Sequence, residues 1–558
     1  MSQTTLSAPM PPMSNPIMLT PTNPQSRSPF NKVPLEVLLR ISSLLNTTEL
    51  SALRLTCRSI EQSLFNTFMK EYFTKRQFML TEFSLQALID ISKSRLSDCL
   101  DHVIIGLNCF TRHYFPPGKE ACETRYREAQ ADHFALVHSG QHVLMLTEAF
   151  RNLKNLQTVG IRDYNSKARS LRDGFTATWA SYGATTLEKE TEVNLFRVPI
   201  DEIQAYTNKV FISLFTALGN AGARPKAFEL LRKGQGVPSD DAFNLFTNYL
   251  GPKVAPVIEG LETFICVVNV ANGPFRTTAP THGAEDNTAF SRRRHDYLLR
   301  LFLGYMSNLK HLRLNFSHPG NNSDAVDHFI NWLGTPAFKS PSTPPIFDPQ
   351  LPSPPPPVAF PHLEELNLGF LDAEPKRLIH LVRKLSPTLK KLEFWKLTLW
   401  NKAAEARGTE ERRDHYKVNL WAKMLKALCD VPNLNLDHIM IGSPAQRTFM
   451  TNTKVWFHSK DASPNDKVDK KEYTGIDWKH FVEELAGQVK AELPLETSSD
   501  SDEDDVYDSD LDDNLMEDDL MNLHYEDMAY YPDDMQEALE AWEDVIMHES
   551  GFHPLMFS

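Results

Sequence analysis

The chain has 558 residues and a hydrophobic content of 41%, enough for one large core or several smaller ones. No run of 18 apolar residues occurs, so no transmembrane helix is expected, and residues 1–30 lack the charged start and apolar stretch of a secretory signal. Six scattered cysteines without a Cys-x-x-Cys pair argue against a disulfide framework or a zinc site and favour reduced thiols in the cytoplasm or nucleus.

The net charge of −14 is distributed unevenly along the chain. From Glu496 to the C-terminus there are 22 acidic residues and no Lys or Arg. The preceding 495 residues therefore hold 50 acidic residues against 58 Lys and Arg, a net charge of +8. The sequence thus predicts a mildly basic body and a separate, strongly acidic tail.

Residues 1–29 are rich in Ser, Thr, Pro and Asn, and they show no apolar periodicity. Such a segment cannot bury enough apolar surface to offset the entropy of ordering it, so it is predicted to be disordered.

The segment 31–60 predicts three short helices. Pro34 suits a helix start, and the apolar residues that follow at helical spacing cover more than one side of the first helix. Asn46-Thr47-Thr48 ends it, with Thr47 or Thr48 expected to cap the second helix, and Cys57-Arg58 opens the third. Three short helices over about 30 residues cannot close a core alone, so they must dock on the body, on a partner, or on both.

This pattern resembles the F-box, and we assign it to residues 30–75. The matching features are an apolar residue before Pro, an apolar run, a polar turn, Leu-x-x-Leu and Cys-Arg. Val33 stands where Leu is commoner, and Ile60 where an aromatic is usual. The resemblance implies docking onto the Skp-type adaptor of cullin ubiquitin ligases through Val33, Pro34, Leu35, Val37, Leu38, Ile41, Leu44, Leu50, Leu53 and Cys57. The alternative is an ordinary helical hairpin in an N-terminal domain.

The stretch 78–93 together with 102–107 resembles the region after the F-box in fungal F-box proteins, a weaker likeness that brings no known site.

A short signature, apolar-x-x-apolar-x-apolar, recurs through the body. Full copies start at Leu100, Leu195, Leu261, Leu309, Leu363, Leu389 and Leu436, and an imperfect copy starts at Leu153 and Leu156. It is the strand signature of a leucine-rich repeat, although the copies are spaced more widely and less regularly than the usual ~20–29 residues.

Helical patterns separate several copies of the signature. They begin at Pro375, Val418 and Tyr297. Helix and short strand in alternation predict parallel strands with covering helices. We therefore expect an α/β fold in which the F-box precedes an irregular leucine-rich-repeat-like solenoid over residues 76–490. The alternative is a non-repetitive α/β or helical domain.

Residues 340–361 form a Pro-rich insert within that body. Its Ser-Pro and poly-Pro runs cannot join a sheet ladder, so we expect an exposed loop whose removal leaves stability nearly unchanged. Alternatively, the insert binds a partner domain that recognises proline-rich segments. Residues 400–415 are polar and predict a loop or an exposed helix.

Motifs for catalysis and ligand binding are weak. His133, His138 and His142 form the densest histidine cluster, but they lack the Glu of a zinc helix, so ordinary histidines are the favoured interpretation over metal ligation. Gly234-Gln-Gly236 lacks the preceding strand and third glycine of a dinucleotide loop and predicts a turn. The basic run 292–295 predicts a solvated face, with a nuclear-import or nucleic-acid patch as the alternative. We expect no cofactor and no metal.

The tail, residues 491–558, combines acidic runs with apolar residues. Ser499, Ser501 and Ser509 each have an Asp three positions later, the setting that acidophilic kinases prefer. A short amphipathic helix is predicted over 534–547, with its apolar stripe at Met535, Leu539, Trp542 and Ile546. The opposite charges of tail and body suggest that the tail folds back onto a basic face; a freely solvated tail is the alternative.

Two functional hypotheses follow from the sequence. The first is a non-catalytic substrate receptor of an SCF-type ubiquitin ligase, with a Skp-type adaptor, a cullin and a protein substrate as partners. The second is a nuclear or cytoplasmic scaffold that recruits partners through its acidic tail. Neither hypothesis involves a membrane or a nucleic acid, and both place the chain in the cytoplasm, the nucleus or both.

Overall fold

The computed structural model describes residues 33–491 except 168–169, 175, 197–199, 235, 271–295, 318–322, 338–354, 402–417, 449–450 and 459–466. The sequence predictions for the N-terminal segment 1–29 and for the acidic tail therefore lie outside the described residues, as does most of the polar segment 400–415. Within the described ranges, no helix is both long and apolar enough to cross a membrane.

The chain begins with three helices, as the sequence predicts: α1 (Leu35–Ser43), α2 (Thr47–Leu55) and α3 (Arg58–Phe73). Pro34 lies at the N-cap of α1, one position earlier than expected. The cap of α2 is Asn46 rather than Thr47 or Thr48: its side chain accepts a hydrogen bond from the Glu49 amide, and Glu49 accepts one from the Asn46 amide. This reciprocal pair fixes the turn between α1 and α2.

Nine parallel strands follow, and their order in the sheet is their order in the chain. They are β1 (Lys75–Met79), β2 (His102–Gly106), β3 (Thr158–Arg162), β4 (Ala227–Leu231), β5 (Thr263–Val268), β6 (His311–Phe316), β7 (Glu365–Ala373), β8 (Lys391–Leu399) and β9 (His438–Gly442). The architecture is mixed α/β, because helices connect strands that run in the same direction.

The connecting helices lie beside one another in nearly the same order as the strands. They are α4 (Glu82–Ser92), α5 (Glu120–His138), α6 (Gln141–Asn152), α7 (Ser170–Asp173), α8 (Ala184–Thr191), α9 (Ile200–Ala221), α10 (Gly251–Glu259), α11 (Tyr297–Gly304), α12 (Ser323–Gly334), α13 (Pro375–Leu385), α14 (Leu420–Cys429) and α15 (Trp478–Gln488). A 3₁₀ turn (Asp240–Phe243) precedes α10.

The strands share one register. From β2 to β9, the second and fourth residues of each strand are buried in a continuous core with the helices, for example Val103 and Ile105 in β2 and Leu366 and Leu368 in β7. Because side chains alternate across a strand, the first, third and fifth residues lie on the opposite face of the sheet. We call that opposite side the polar face.

The end of the sheet differs from its middle. Beyond β9 the chain adds β10 (Ala445–Thr448), β11 (Thr451–His458), β12 (Lys467–Val468), β13 (Lys470–Thr474) and β14 (Val489–Ala491). β13 pairs antiparallel with β9, and β11 pairs antiparallel with both β10 and β14. These additions cover the edge that parallel stacking leaves open.

The apolar signature located most strands but not all. The copies starting at Leu100, Leu261, Leu309, Leu363, Leu389 and Leu436 all lead into strands, and Leu156 leads into β3. The copy at Leu195 was wrong, because Leu195 is a buried loop residue and Ile200 begins α9. β4 was missed because Pro225 occupies its first apolar position.

The C-terminal end of the Pro-rich insert is packed, which corrects the expectation of an exposed loop. Pro355 is buried, and its carbonyl oxygen accepts a hydrogen bond from the Trp332 indole N–H at 3.1 Å. Val358 and Phe360 lie in the main core. Residues 338–354 are outside the described ranges, so the loop prediction remains a prediction for them only.

We therefore expect Phe360→Ala to lower the free energy of unfolding by about 3–5 kcal/mol, because it leaves a cavity in a closed core. Urea denaturation measures the difference. Phe83→Ala is the matched control, since Phe83 is 66% exposed and should lose far less. If the two variants lost equal amounts of unfolding free energy, residues 355–360 would instead be an exposed loop.

Candidate functional site

The three N-terminal helices enclose a small core of their own. Leu38, Leu50, Ile60, Leu64 and Tyr72 are each less than 10% exposed and pack together. Two of the residues expected to bind the adaptor, Leu38 and Leu50, therefore hold this unit together. In the structure these two leucines stabilise the packing of the three helices, because truncating a buried Leu destabilises the helices that carry it.

Other expected adaptor-binding residues are exposed. Leu35 and Val37 are each 48% exposed and Leu44 is 75% exposed, which leaves apolar side chains in solvent on two sides of α1 and just after it. Pro34 is exposed as well. The remaining four, Val33, Ile41, Leu53 and Cys57, are half-buried. The described residues do not cover these apolar side chains, and a partner that does so would remove them from water.

A short element from the body fastens the N-terminal unit in place. Arg172 of α7 forms a two-pronged ion pair with Glu71, with both nitrogen–oxygen distances at 2.6 Å. The same guanidinium donates to the carbonyl oxygens of Ser42, at 2.6 Å, and of Leu45. Ser42 lies in the last turn of α1 and Leu45 just after its C-cap, a position where a cation is favoured both by hydrogen bonding and by the helix dipole.

Neighbouring contacts extend this attachment, which we call the clamp. Asp173 accepts hydrogen bonds from the amide and hydroxyl of Thr47 at 2.8 and 2.7 Å. Trp179 stacks on Tyr72, with ring centroids 5.6 Å apart. The clamp therefore joins the N-terminal unit to a body segment more than 100 positions later in the chain. No signal in the sequence identified it.

The polar face of the sheet carries ionisable side chains on successive strands. The register brings them into rows in which neighbours are one strand apart. The row members with charged or polar side chains include His102, Arg162, Glu229, His311, Arg313, Glu365, Asn367, Glu393 and His438. The sequence motifs did not identify these side chains, although the residue between the last two apolar positions of each signature copy, such as Arg313 or Glu393, lies on this face.

At the N-terminal part of this face, Glu229 is enclosed by basic groups. Arg162 is fully buried, with Nη2 3.4 Å from the Glu229 carboxylate, and His102 Nε2 is 3.5 Å away. Burial alone would raise the pKa of Glu229, but His102, Lys75 and Arg162 lower it to about 2. Burial lowers the pKa of His102 to about 3, although Glu229 raises it. His102 is therefore neutral at pH 7, where Arg162 balances Glu229, and becomes charged only near the pH at which Glu229 itself titrates.

At the C-terminal part, four strands share a ladder of polar groups that are partly exposed, except for the buried Asn367. His311 Nε2 lies 3.2 Å from the Glu365 carboxylate and 2.8 Å from the Asn367 side-chain oxygen. Asn367 donates in turn to Glu393, which lies 3.6 Å from His438. Each side chain is thus held by its neighbours, which gives a partner a preorganised polar surface at little entropic cost.

Glycines on this face leave space for large neighbours. A Cβ atom at Gly442 would lie 2.2 Å from the Trp395 ring, so the indole rests directly over the β9 backbone. The Trp395 indole nitrogen has no hydrogen-bond partner among the described residues. Trp395 is thus the large aromatic side chain at the C-terminal end of the ladder.

An open cleft of about 670 Å³ lies between α5 and α9 and includes two of the three histidines singled out in the sequence. His133 contacts the Leu80 carbonyl oxygen at 2.7 Å, whereas His138 is exposed and stacks on Phe134. His142 contacts Ser213 at 2.8 Å and does not line the cleft. The three imidazoles therefore have separate partners, and the described part of the chain contains no group of three or more potential metal ligands.

Cys109 also lines this cleft. Burial, reinforced by Glu202, raises the pKa of its thiol to about 12, so the sulfur stays protonated at pH 7. A protonated thiol is a poor nucleophile.

Several other candidates lie wholly or partly outside the described residues. These are the phosphorylation candidates Ser499, Ser501 and Ser509, the stripe Met535–Ile546, and the basic run 292–295. Gly236 is described and has φ +88, as a turn glycine does.

Comparisons with known proteins give little further guidance. No protein-family model matches the chain, and no curated protein matches it. Matches among solved structures include the crystal structure of the Rad7 and Elc1 complex in yeast, at 10% sequence identity and a TM-score of 0.22. That match covers 73% of this chain and 88% of the other. The similarity is too low for any residue role to be transferred.

Arg172→Ala should loosen the N-terminal unit without disturbing the sheet. Hydrogen bonds to a charged group contribute about 1.5–3 kcal/mol, so amide exchange in residues 35–55 should accelerate roughly tenfold or more, with β5 to β8 unchanged. Arg125→Ala is the control, since Arg125 forms an ion pair with Glu190 in which both side chains are more than 40% exposed. Exchange that rises equally throughout the chain would contradict a local clamp.

Glu229→Gln should change the pH dependence of stability. The folded pKa of about 2 lies below the ordinary value of 4.5, so the ionised carboxylate stabilises the fold above pH 4.5. That contribution, up to about 3 kcal/mol, is lost as the pH falls from 4.5 towards 2. Denaturation of the unaltered chain and of Glu229→Gln between pH 3 and 7 should show a difference in the free energy of unfolding that shrinks below pH 4.5. A difference that stays constant would contradict the lowered pKa of Glu229.

Proposed function

We propose that this chain is the substrate-recognition subunit of an SCF-type ubiquitin ligase. In this proposal the N-terminal unit is an F-box that binds a Skp-type adaptor and, through it, a cullin. The body binds the protein substrate. The chain performs no bond chemistry itself, and it acts in the cytoplasm, the nucleus or both.

The observation that carries the proposal is the set of exposed apolar side chains on an already closed helical unit. Leu35, Val37 and Leu44 are exposed although Leu38 and Leu50 provide the unit with a core. Burying such side chains yields about 25 cal/mol per Å² of apolar surface, so a partner that covers them gains binding free energy. The F-box-like spacing of these residues favours a Skp-type adaptor as that partner.

We further propose that the body is an irregular leucine-rich-repeat-like solenoid. The support for this is the chain-order stacking of nine parallel strands, seven of which carry the apolar signature or a close form of it. A third feature is the repeated left-handed residue at one register position, in Phe370 of β7, Lys396 of β8 and Ser443 directly after β9. In such a body the polar face would receive the substrate.

The contribution to ubiquitin transfer would then be proximity. A receptor that holds a substrate lysine near a charged ubiquitin carrier raises the effective concentration of the lysine at the carrier. A rigid link between the two binding surfaces keeps the lysine at that distance. The clamp through Arg172 supplies such a link between α1 and the sheet.

The triple variant Leu35→Ala, Val37→Ala, Leu44→Ala tests adaptor binding. Truncating an interface anchor typically costs about 2 kcal/mol, so adaptor recovery in a pull-down should fall by a factor of about 100 or more. Thermal unfolding should change little, because all three side chains are exposed in the free chain.

Leu144→Ala is the matched control, an exposed leucine at 68% on α6 of the body. It should recover the adaptor at the level of the unaltered chain. Unchanged adaptor recovery by the triple variant would contradict the F-box assignment.

A non-catalytic scaffold remains the second candidate, on the strength of the 22 acidic residues that follow position 495. Substrate abundance separates the two functions. A receptor's substrate accumulates when the chain is deleted, whereas a scaffold's partner keeps its abundance while losing its location.

A further inference from the structure

The outward faces of α13 and α14 are basic. On α13, Lys376, His380 and Arg383 are exposed at i, i+4 and i+7, and on α14, Lys423 and Lys426 are exposed at i and i+3. Neither helix contains a single Asp or Glu. Their buried residues are apolar and pack into the main core, so the basic residues point away from the sheet on both helices.

The two helices form one surface because they pack against each other. We call the five exposed side chains of α13 and α14 the basic strip. On the other side of α13 lies α12, in which the exposed residues with described side chains, His328 and Asn331, carry no negative charge. Acidic residues border the other side of the strip: Asp430 directly after α14, and the exposed Glu483 and Glu484 of α15, which packs against α14.

Within the described ranges, most charges of the basic strip have no ion-pair partner. Lys376 forms an ion pair with Glu374 at 3.2 Å. Arg383, Lys423 and Lys426 make no ion pair with any described residue. A concentration of like charges without partners raises the local potential and attracts an acidic ligand.

The chain itself delivers an acidic segment to this place. α15 packs against α14, and β14 follows α15 directly, so the described chain ends at residue 491 close to the strip. The acidic run 500–505 begins nine residues later, and nine extended residues span about 30 Å. Packed helices are about 8–10 Å apart, so this run can reach both α14 and α13.

We propose that the acidic C-terminal segment, residues 496–558, docks on the basic strip of α13 and α14 in the same chain. Being tethered, it meets the strip at a high effective concentration and needs only weak individual contacts. The inference is independent of adaptor binding, because it concerns the opposite end of the sheet from the N-terminal unit.

The charge at the other end of the helical layer explains why the segment should dock at this site. α5 carries Glu120, Glu123, Glu128 and Asp132 against two arginines, so its face is net acidic and repels the same segment. The helical layer therefore has an acidic N-terminal end and a basic C-terminal end, and the tail emerges at the basic end.

Phosphorylation would strengthen the contact. Phosphate on Ser499, Ser501 or Ser509 adds roughly 1.5–2 negative charges each, close to the start of the acidic run. An acidic partner that binds the strip would compete with the tail, so docking gives the chain a means of regulating that surface.

The test is zero-length cross-linking of carboxylates to lysine amines in the full-length protein, read by peptide mass spectrometry. Links from residues 496–558 to Lys376, Lys423 and Lys426 should exceed links to the body lysines Lys154 and Lys253 by about fivefold or more. They should fall several-fold between about 0.01 M and 1 M salt, where the Debye length shrinks from about 30 Å to 3 Å.

A pair of charge-reversal variants provides the matched comparison. Lys423→Glu with Lys426→Glu should reduce the tail's links to Lys376, whereas Arg151→Glu with Lys154→Glu, exposed at the same i, i+3 spacing on and just after α6, should not. Mixing isotope-labelled and unlabelled protein distinguishes links within one chain from links between chains. Links spread evenly over the lysines, or links only between chains, would overturn the proposal.

Discussion

The structure depends on a single register shared by nine parallel strands. Because side chains alternate along each strand, a slip of one residue would move the apolar positions out of the core and the charged positions into it. The buried residues at the second and fourth positions, such as Leu366 and Leu368, and the polar row through Asn367 therefore fix the same alignment from opposite faces. Core packing and the geometry of the polar face are consequences of one constraint.

The clamp extends this order to the N-terminal helices. On their own, α1 to α3 enclose only a small core. Arg172 and Asp173 bond to α1, α3 and the turn that starts α2, and Arg95, which follows α4, forms an ion pair with Glu61 of α3. If the chain brings two partners together as proposed, these contacts limit how far one partner can move relative to the other.

Charge varies along the helical layer while the core stays uniformly apolar. The acidic face of α5 and the basic strip of α13 and α14 are separated by most of the sheet, so they present opposite charges at different ends of the helical layer. Core packing does not require this separation, because the exposed positions contribute little to stability. It suits a chain whose own acidic segment emerges beside the basic strip.

The sequence by itself determined the α/β class, the three N-terminal helices and most strand positions, because these follow from periodicities within a few residues, as at Leu309 to Leu314. It mistook Leu195 for a strand start, missed β4 behind Pro225, and left residues 355–360 as an exposed loop although Phe360 joins the core. Only the tertiary structure revealed the clamp, the enclosure of Glu229 and the packing of α13 against α14. These contacts join residues from distant parts of the chain, and no local pattern records which distant residue a side chain will meet.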